Sequence, residues 1–383
     1  MATCDGERGA IQWRTRSVVA VIPSGCKYVA NTRRSDEVAV AWEAPALAWH
    51  RAQPGYVRTP LIDLATVGSE FGFERLWAKD ETSRFGLSAF KVLGAAWAVE
   101  HKLGAAVAAG EGPGVLVAAT DGNHGRAVAA VAAKHGLVAE IFVPRDTSEA
   151  RVAAIEREGG VVHAADGGFD GAVQVAVARA EALGSTGLLV SDTGLSPHDE
   201  IPRMISDGYL TLFAEVSEAL EERGEEPPDL VLLPIGGGGI ASAGVRWFRR
   251  VRGIRLVGVE PISAACAYAS IAAGRPVTVT GDFDSAMVGL NAGTLSVPAW
   301  PDLLCGLDGA LAIPDDENDW AHRMLRGAGI RSGDTGVAGL AGLKALVAVH
   351  REAPEVVPWL AGIRRPLVLV TEGEVPATPQ GRV

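Results

Sequence analysis

The sequence predicts an α/β fold of mostly parallel, helix-covered sheets. Three observations carry that expectation. Short, wholly apolar runs recur along the chain; helical stretches separate them; and several runs end directly in loops rich in Gly, Asn, Asp and Ser. A run without polar alternation is buried on both faces, as strands are in a parallel sheet covered by helices. Alternating strands and helices define a doubly wound architecture, in which ligands sit at the carboxyl ends of strands.

In chain order, residues 1 to about 40 lack steady periodicity and read as a loosely held arm. Lys79-Asp80-Glu81 and Arg84-Phe85-Gly86-Leu87 follow, then Ala89-Phe90-Lys91 opening the apolar-rich stretch 92–99. A lysine there either snorkels to the surface or is held in a pocket, where its amine becomes a Schiff-base nucleophile. The run Val115-Leu116-Val117-Ala118 leads into Thr120-Asp121-Gly122-Asn123-His124-Gly125. That loop is a sharp turn or a set of amide groups around an anion, with Asp121 as an acid or base. Taken alone, His124 reads as structural.

Ile141-Phe142-Val143 is the next run. Leu188-Leu189-Val190 then leads into Ser191-Asp192-Thr193, where Asp192 is a helix cap or a functional acid. Ile201, Met204, Ile205, Leu212, Val216 and Leu220 form one stripe of a helix, ended by the charged, Pro-broken stretch 221–229. Leu230-Val231-Leu232-Leu233 runs into Pro234-Ile235 and four glycines, Gly236 to Gly239, with a helix over about 240–248. Glycines let a backbone approach an anion, and a helix start offers unpaired N–H groups. No Lys-Ser/Thr follows, so this is no P-loop. The run Leu256-Val257-Gly258-Val259 ends at Glu260, which also fits a dinucleotide fingerprint. A monophosphate cradle, a dinucleotide site and a ligand-free turn all stay open on the glycines alone. Ser332-Gly333-Asp334-Thr335-Gly336 is a further turn, and Leu367-Val368-Leu369-Val370 runs into Thr371-Glu372-Gly373-Glu374.

Composition bounds the function. The chain has 383 residues, enough for two to three domains or one two-lobed enzyme. A net charge of −11 opposes binding to nucleic acid or anionic membranes by bulk charge. Cys4, Cys26, Cys266 and Cys305 lie far apart, without zinc or redox spacing, so no metal is expected and a reducing cytoplasm is the simplest location. No run approaches the roughly 18 apolar residues of a membrane helix; residues 18–22 are too short for a signal peptide.

Conjunction separates the readings. A dinucleotide site leaves Lys91 and Asn123 idle. A pyridoxal 5'-phosphate site uses every loop: an amine for the aldehyde, a phosphate cradle, partners for the ring hydroxyl and ring nitrogen, and a base near Cα. The strings Arg84-Phe85-Gly86-Leu87 with Ala89-Phe90-Lys91, Thr120-Asp121-Gly122-Asn123-His124-Gly125-Arg126, Ser191-Asp192-Thr193, Gly208-Tyr209, Glu260-Pro261, Gly289-Leu290 and Thr371-Glu372-Gly373 occur in unbroken order over about 45–376. In this the chain resembles the fold-type II pyridoxal-phosphate enzymes (the tryptophan synthase β family), and within them the diaminopropionate ammonia-lyases.

The resemblance implies a large cofactor-binding domain of 45–95 and 205–383, a small domain of 96–204, an N-terminal arm of 1–44, and a homodimer. It implies a β-elimination of a small amino acid, first 2,3-diaminopropionate to pyruvate and two ammonia. The alternative is a serine/threonine dehydratase-like or β-replacement enzyme of the same fold. It makes Lys91 the Schiff-base lysine and Asn123 the partner of the ring hydroxyl, with Gly236, Gly237, Gly238 and Gly239 as the phosphate loop. Thr371 would face the ring nitrogen with Asp334 near it, and Phe90 joins the cofactor-binding set. Asp121 and Asp192 become the acidic pair for the substrate's amino group and, for a D-isomer, the Cα proton. Three stretches depart from that pattern: Leu195-Ser196-Pro197-His198, the four glycines Gly236 to Gly239 where the family usually has Gly-Val-Gly-Ser, and Asn291-Ala292-Gly293-Thr294-Leu295. The changes bear on substrate identity rather than on the cofactor.

Overall fold

The computed structural model describes residues 19–21, 25–35, 38–108, 112–120 and 122–374. Its strands are β1 (Val19–Val21), β2 (Lys27–Ala30), β3 (Leu61–Asp63), β4 (Trp77–Asp80), β5 (Val115–Ala119), β6 (Val138–Pro144), β7 (Gly160–Ala165), β8 (Gly187–Leu189), β9 (Leu230–Pro234), β10 (Arg255–Pro261), β11 (Gly309–Ile313) and β12 (Pro366–Val370). Its helices are α1 (Pro45–Ala52), α2 (Ala65–Phe71), α3 (Lys91–Ala108), α4 (Asn123–His135), α5 (Glu149–Arg157), α6 (Gly168–Leu183), α7 (Glu200–Glu222), α8 (Gly239–Phe248), α9 (Cys266–Ala273), α10 (Trp300–Gly306), α11 (Asn318–Gly327) and α12 (Ala338–Glu352).

Two sheets result. One has the order β1-β2-β11-β10-β9-β12-β4-β3 and the other β7-β6-β5-β8. The second is parallel throughout. The first is parallel from β11 to β4 and antiparallel toward both edges. All six apolar runs became strands, and β9, β10 and β12 are buried at nearly every position because helices cover both faces. Among the described residues no helix is long and apolar enough to cross a membrane.

The arm needs correction where it is described. Residues 27–30 are a strand, hydrogen-bonded to β11, with Cys26, Tyr28 and Val29 fully buried. The remainder of that call over 1–18, 22–24 and 36–37 lies outside the described residues.

The two sheets meet along α3 and α7. Glycine sets their separation: a Cβ on Gly208 would lie 2.4 Å from the Leu93 carbonyl oxygen, and one on Gly94 would lie 2.6 Å from the Ile205 side chain. The helix that starts at Lys91 is thus in backbone contact with its neighbour. His50 pins the same junction. One ring nitrogen meets Thr211 Oγ1 at 2.8 Å and the other the Leu93 carbonyl at 3.0 Å. Burial pushes His50 down to about 4. A base depressed when folded supplies stability that is full above its unfolded value near 6.5 and is lost as pH falls toward 4. About 3 kcal/mol should disappear over that window. Denaturant midpoints at pH 7.5 and 4.5 should therefore converge for His50→Gln more than for wild type; an equal acid loss in both would refute the assignment.

Candidate active site

Five strand ends deliver the site, all at carboxyl ends. From β4 the chain passes Arg84–Gly86, a 3-10 turn, to Lys91 at the first position of α3. This connection is held rigidly. Arg84 is fully buried; it donates to Glu81 at 2.8 Å, to both oxygens of Glu215 at 2.7 Å, and to Thr59 Oγ1 at 2.8 Å. Lys79 Nζ donates to Glu215 at 2.6 Å and to the Thr59 carbonyl at 2.8 Å. Burial pushes the Glu215 carboxyl up, yet Arg84 and Lys79 hold it down at about 2. The following backbone is strained, with φ of 50° at Phe85 and 58° at Ser88. It is tied to the end of β12 by Phe90 N–H to the Thr371 carbonyl at 3.3 Å.

Lys91 Nζ pairs with Asp192, which follows β8; each side chain is about one-fifth exposed. Burial raises the Asp192 carboxyl, but the Lys91 ammonium and His124 outweigh it and leave the group well below the usual carboxylate range. After β5, Thr120 Oγ1 accepts the N–H groups of Gly122 and Gly125 at 2.8 and 3.1 Å, which shapes the loop. Asn123 then opens α4 and donates its amide to Glu372. The other Glu372 oxygen accepts the Thr335 N–H at 3.0 Å. His124 Nε2 donates to the Val190 carbonyl at 2.8 Å. Asp121 lies outside the described residues.

The four glycines join β9 to α8. Gly238 has φ of 92°. A Cβ would meet the Gly289 carbonyl at 3.0 Å from Gly236, Thr193 Oγ1 at 2.7 Å from Gly237, and Leu303 at 2.9 Å from Gly238. A side chain at Gly236, Gly237 or Gly238 would crowd these neighbours, and the loop presents backbone to the cavity at a helix N-terminus. Ser296 N–H donates to the Gly237 carbonyl at 2.9 Å, fixing it further. Thr371, at the end of β12, is buried with a hydroxyl that has no partner among the described residues.

One cavity gathers Phe90, Lys91, Asn123, Asp192, Gly236 to Gly239 and Thr371. Asp334 does not join it. Gly333 N–H bonds the Glu372 carbonyl at 3.1 Å, and this turn sends Thr335 inward and the next-door Asp334 outward. Asp334 accepts from His322 at 2.9 Å at the rim of a wide cleft beside the cavity. Glu260 is not a ribose ligand either, since its two oxygens accept the N–H groups of Ala267 and Tyr268 at 2.9 and 2.6 Å. Sequence reasoning assigned no role to Glu372, Thr335 or Tyr209, which also line the cavity. Their only signal was membership in the recurring strings.

An amine, a glycine cradle at a helix start, an amide and an orphaned hydroxyl lining one cavity fit pyridoxal phosphate group by group. In a cleft between two helix-covered sheets this set defines a fold-type II pyridoxal-phosphate enzyme. Comparison with known proteins agrees. The chain belongs to the pyridoxal-phosphate dependent enzyme family, which matches residues 52–362. It is 32% identical over 353 residues to a diaminopropionate ammonia-lyase of Escherichia coli, covering 86% of this chain and 87% of that one. It is 35% identical over 277 residues to one of Salmonella typhimurium, covering 67% and 68%. The crystal structure of the Escherichia coli diaminopropionate ammonia-lyase with an aminoacrylate-PLP azomethine reaction intermediate superposes with a TM-score of 0.82 at 28% identity, over 93% of this chain and 96% of that one.

Proposed function

We propose that this chain is an ammonia-lyase that converts 2,3-diaminopropionate to pyruvate and two ammonia. The observation that carries the reading is the Lys91–Asp192 pair, an amine and a carboxylate that it holds below the usual carboxylate range, both lining the cofactor cavity. Likeness to the diaminopropionate ammonia-lyases over most of the chain supports it.

Gly236 to Gly239 and the start of α8 would hold the phosphate, Asn123 the ring hydroxyl, and Thr371 the ring nitrogen, with Phe90 lining the cavity. Bound pyridoxal phosphate supplies an aldehyde for an amine and an electron sink for a carbanion. Lys91 would hold that aldehyde, and its Nζ, when free, would take the Cα proton of an L-substrate. Asp121 is proposed as the base for a D-substrate. Thr371, a neutral hydroxyl, would leave the ring nitrogen unprotonated, which would favour elimination over transamination. The electron pair from the Cα–H bond forms the Cα–Cβ double bond, and the Cβ–N bond breaks with its pair on nitrogen. Asp192 binds the β-ammonium, which departs as neutral ammonia; the 2-aminoacrylate left tautomerises to an imine, and water hydrolyses it to pyruvate and the second ammonia.

A large domain of 45–95 and 205–383 and a small one of 96–204 are the parts proposed to close on the substrate. The working form is proposed to be a cytoplasmic homodimer. The decisive experiment is an absorbance spectrum followed by a panel of β-substituted amino acids scored for keto-acid release. A yellow protein that turns over 2,3-diaminopropionate fastest is expected. Faster turnover of serine or threonine would replace this reading with a dehydratase.

A further inference from the structure

The four glycines carry no cationic side chain, yet they form the part of the cavity assigned to a phosphate. The first cation along α8 is Arg246, about two turns beyond Gly239, and it is buried. A buried guanidinium needs its donors matched. Nη1 donates to Asp207 Oδ1 at 2.6 Å. Nη2 donates to a neutral group instead, the Ser206 hydroxyl on α7, at 2.8 Å.

Ser206 has one proton to give. A guanidinium only donates, so the Ser206 oxygen accepts from Arg246 and its own proton is directed elsewhere. The Gly239 carbonyl oxygen lies 2.9 Å away. The other acceptor in reach, Ser242 Oγ, is at 3.4 Å and gives its own proton to Asp302 at 2.6 Å. Asp302 does not draw the guanidinium off. It accepts from Arg203 at 3.0 Å and stands 3.6 Å from Arg246 Nε. These distances fix a direction, from Arg246 through Ser206 to the Gly239 carbonyl.

The Gly239 carbonyl and the Ile240 N–H belong to one planar peptide unit and point opposite ways. Gly239 and Ile240 line the cavity, whereas Ser206 and Arg246 are buried behind it. Ile240 is in the first turn of α8, where an N–H has no acceptor within the helix and faces any anion placed there. Hydrogen bonds in a chain polarise one another, so a donor at the Gly239 oxygen makes the Ile240 N–H a stronger donor in turn. The charge of Arg246 thus acts on the helix start through a hydroxyl and a peptide, without entering the cavity.

We propose that Arg246 and Ser206 are positioning residues for the cofactor phosphate: their relay holds the first peptide of α8 in place and strengthens its N–H toward the phosphate. The proposal rests on the reading of Gly236 to Gly239 as the phosphate cradle.

The test titrates the full-length protein, stripped of cofactor, with pyridoxal phosphate and with pyridoxal, and compares the two Kd values in wild type, Ser206→Ala and Ser206→Thr. Pyridoxal keeps the ring and the aldehyde and lacks the phosphate, so a general loosening of the fold weakens both ligands alike. In S206A, pyridoxal phosphate should bind about tenfold more weakly, and pyridoxal within about twofold of wild type. S206T keeps a hydroxyl and should hold the ratio of the two Kd values within about twofold of wild type. Parallel losses on both ligands in S206A, or an unchanged ratio, would overturn the proposal, as would a ratio lost in S206T. Should S206A not fold, Arg246→Gln decides: a ratio lowered by about threefold or more supports the relay and an unchanged one overturns it. If wild type holds pyridoxal as tightly as pyridoxal phosphate, the phosphate-cradle reading fails first, and that outcome is visible before any variant is made.

Discussion

Replacing Lys91 with alanine is expected to lower turnover of 2,3-diaminopropionate by roughly 10³-fold or more, the upper range for removing a positioned proton-transfer group. The fold should tolerate the change. Lys91 is the first residue of α3, its side chain is about one-fifth exposed, and its one ion pair among the described residues is with Asp192. The check is chemical as well as kinetic. Borohydride treatment of wild type followed by peptide mapping should place a pyridoxyl group on the peptide that spans residue 91, and K91A should carry none. A label on another lysine, or a variant keeping a tenth of wild-type turnover, would dismantle the site as described.

Asp192→Asn is expected to have the second-largest effect. A unit charge at ~4 Å in an effective dielectric near 20 contributes of order 4 kcal/mol to holding an ammonium, before desolvation is subtracted. A loss of roughly 10²- to 10³-fold in kcat/KM for the diamine follows. The isosteric amide keeps the shape of the loop, so the loss reports charge. While Lys91 is free, its ammonium holds the Asp192 carboxyl below the usual carboxylate range against the effect of burial. A dehydratase would lose little from D192N on its own substrate, and steady-state kinetics on serine and the diamine in parallel separates the two cases.

The strands that sequence made visible were those whose burial is two-sided. Leu230–Pro234 and Pro366–Val370 have no polar residue to disguise them. β4 was hidden because Lys79 stands in its middle. That lysine is buried only because Glu215 meets it from α7, far away in sequence, so no local pattern could show it. β2 was hidden for a related reason: its partner β11 lies near the other end of the chain. In the site, Lys91, Asn123, Asp192, Thr371 and the four glycines were legible as residue types in loops after apolar runs, and they line one cavity. Asp334 was misplaced by one residue. Inward and outward positions alternate through a tight turn, and only the Gly333–Glu372 backbone contact decides which is which. His124 was read as structural, and its Nε2 bond to the Val190 carbonyl is a packing bond.

The sealed knot of Lys79, Glu81, Arg84 and Glu215 beneath the Lys91 loop carries an evolutionary consequence. Dropping any one member strands its partners' charges out of reach of water, which costs several kcal/mol, whereas exchanging the whole set for well-packed hydrocarbon side chains can be neutral. Descent with single substitutions must therefore cross a fitness valley at this point. The four positions should drift together or not at all, even while neighbouring surface loops diverge freely.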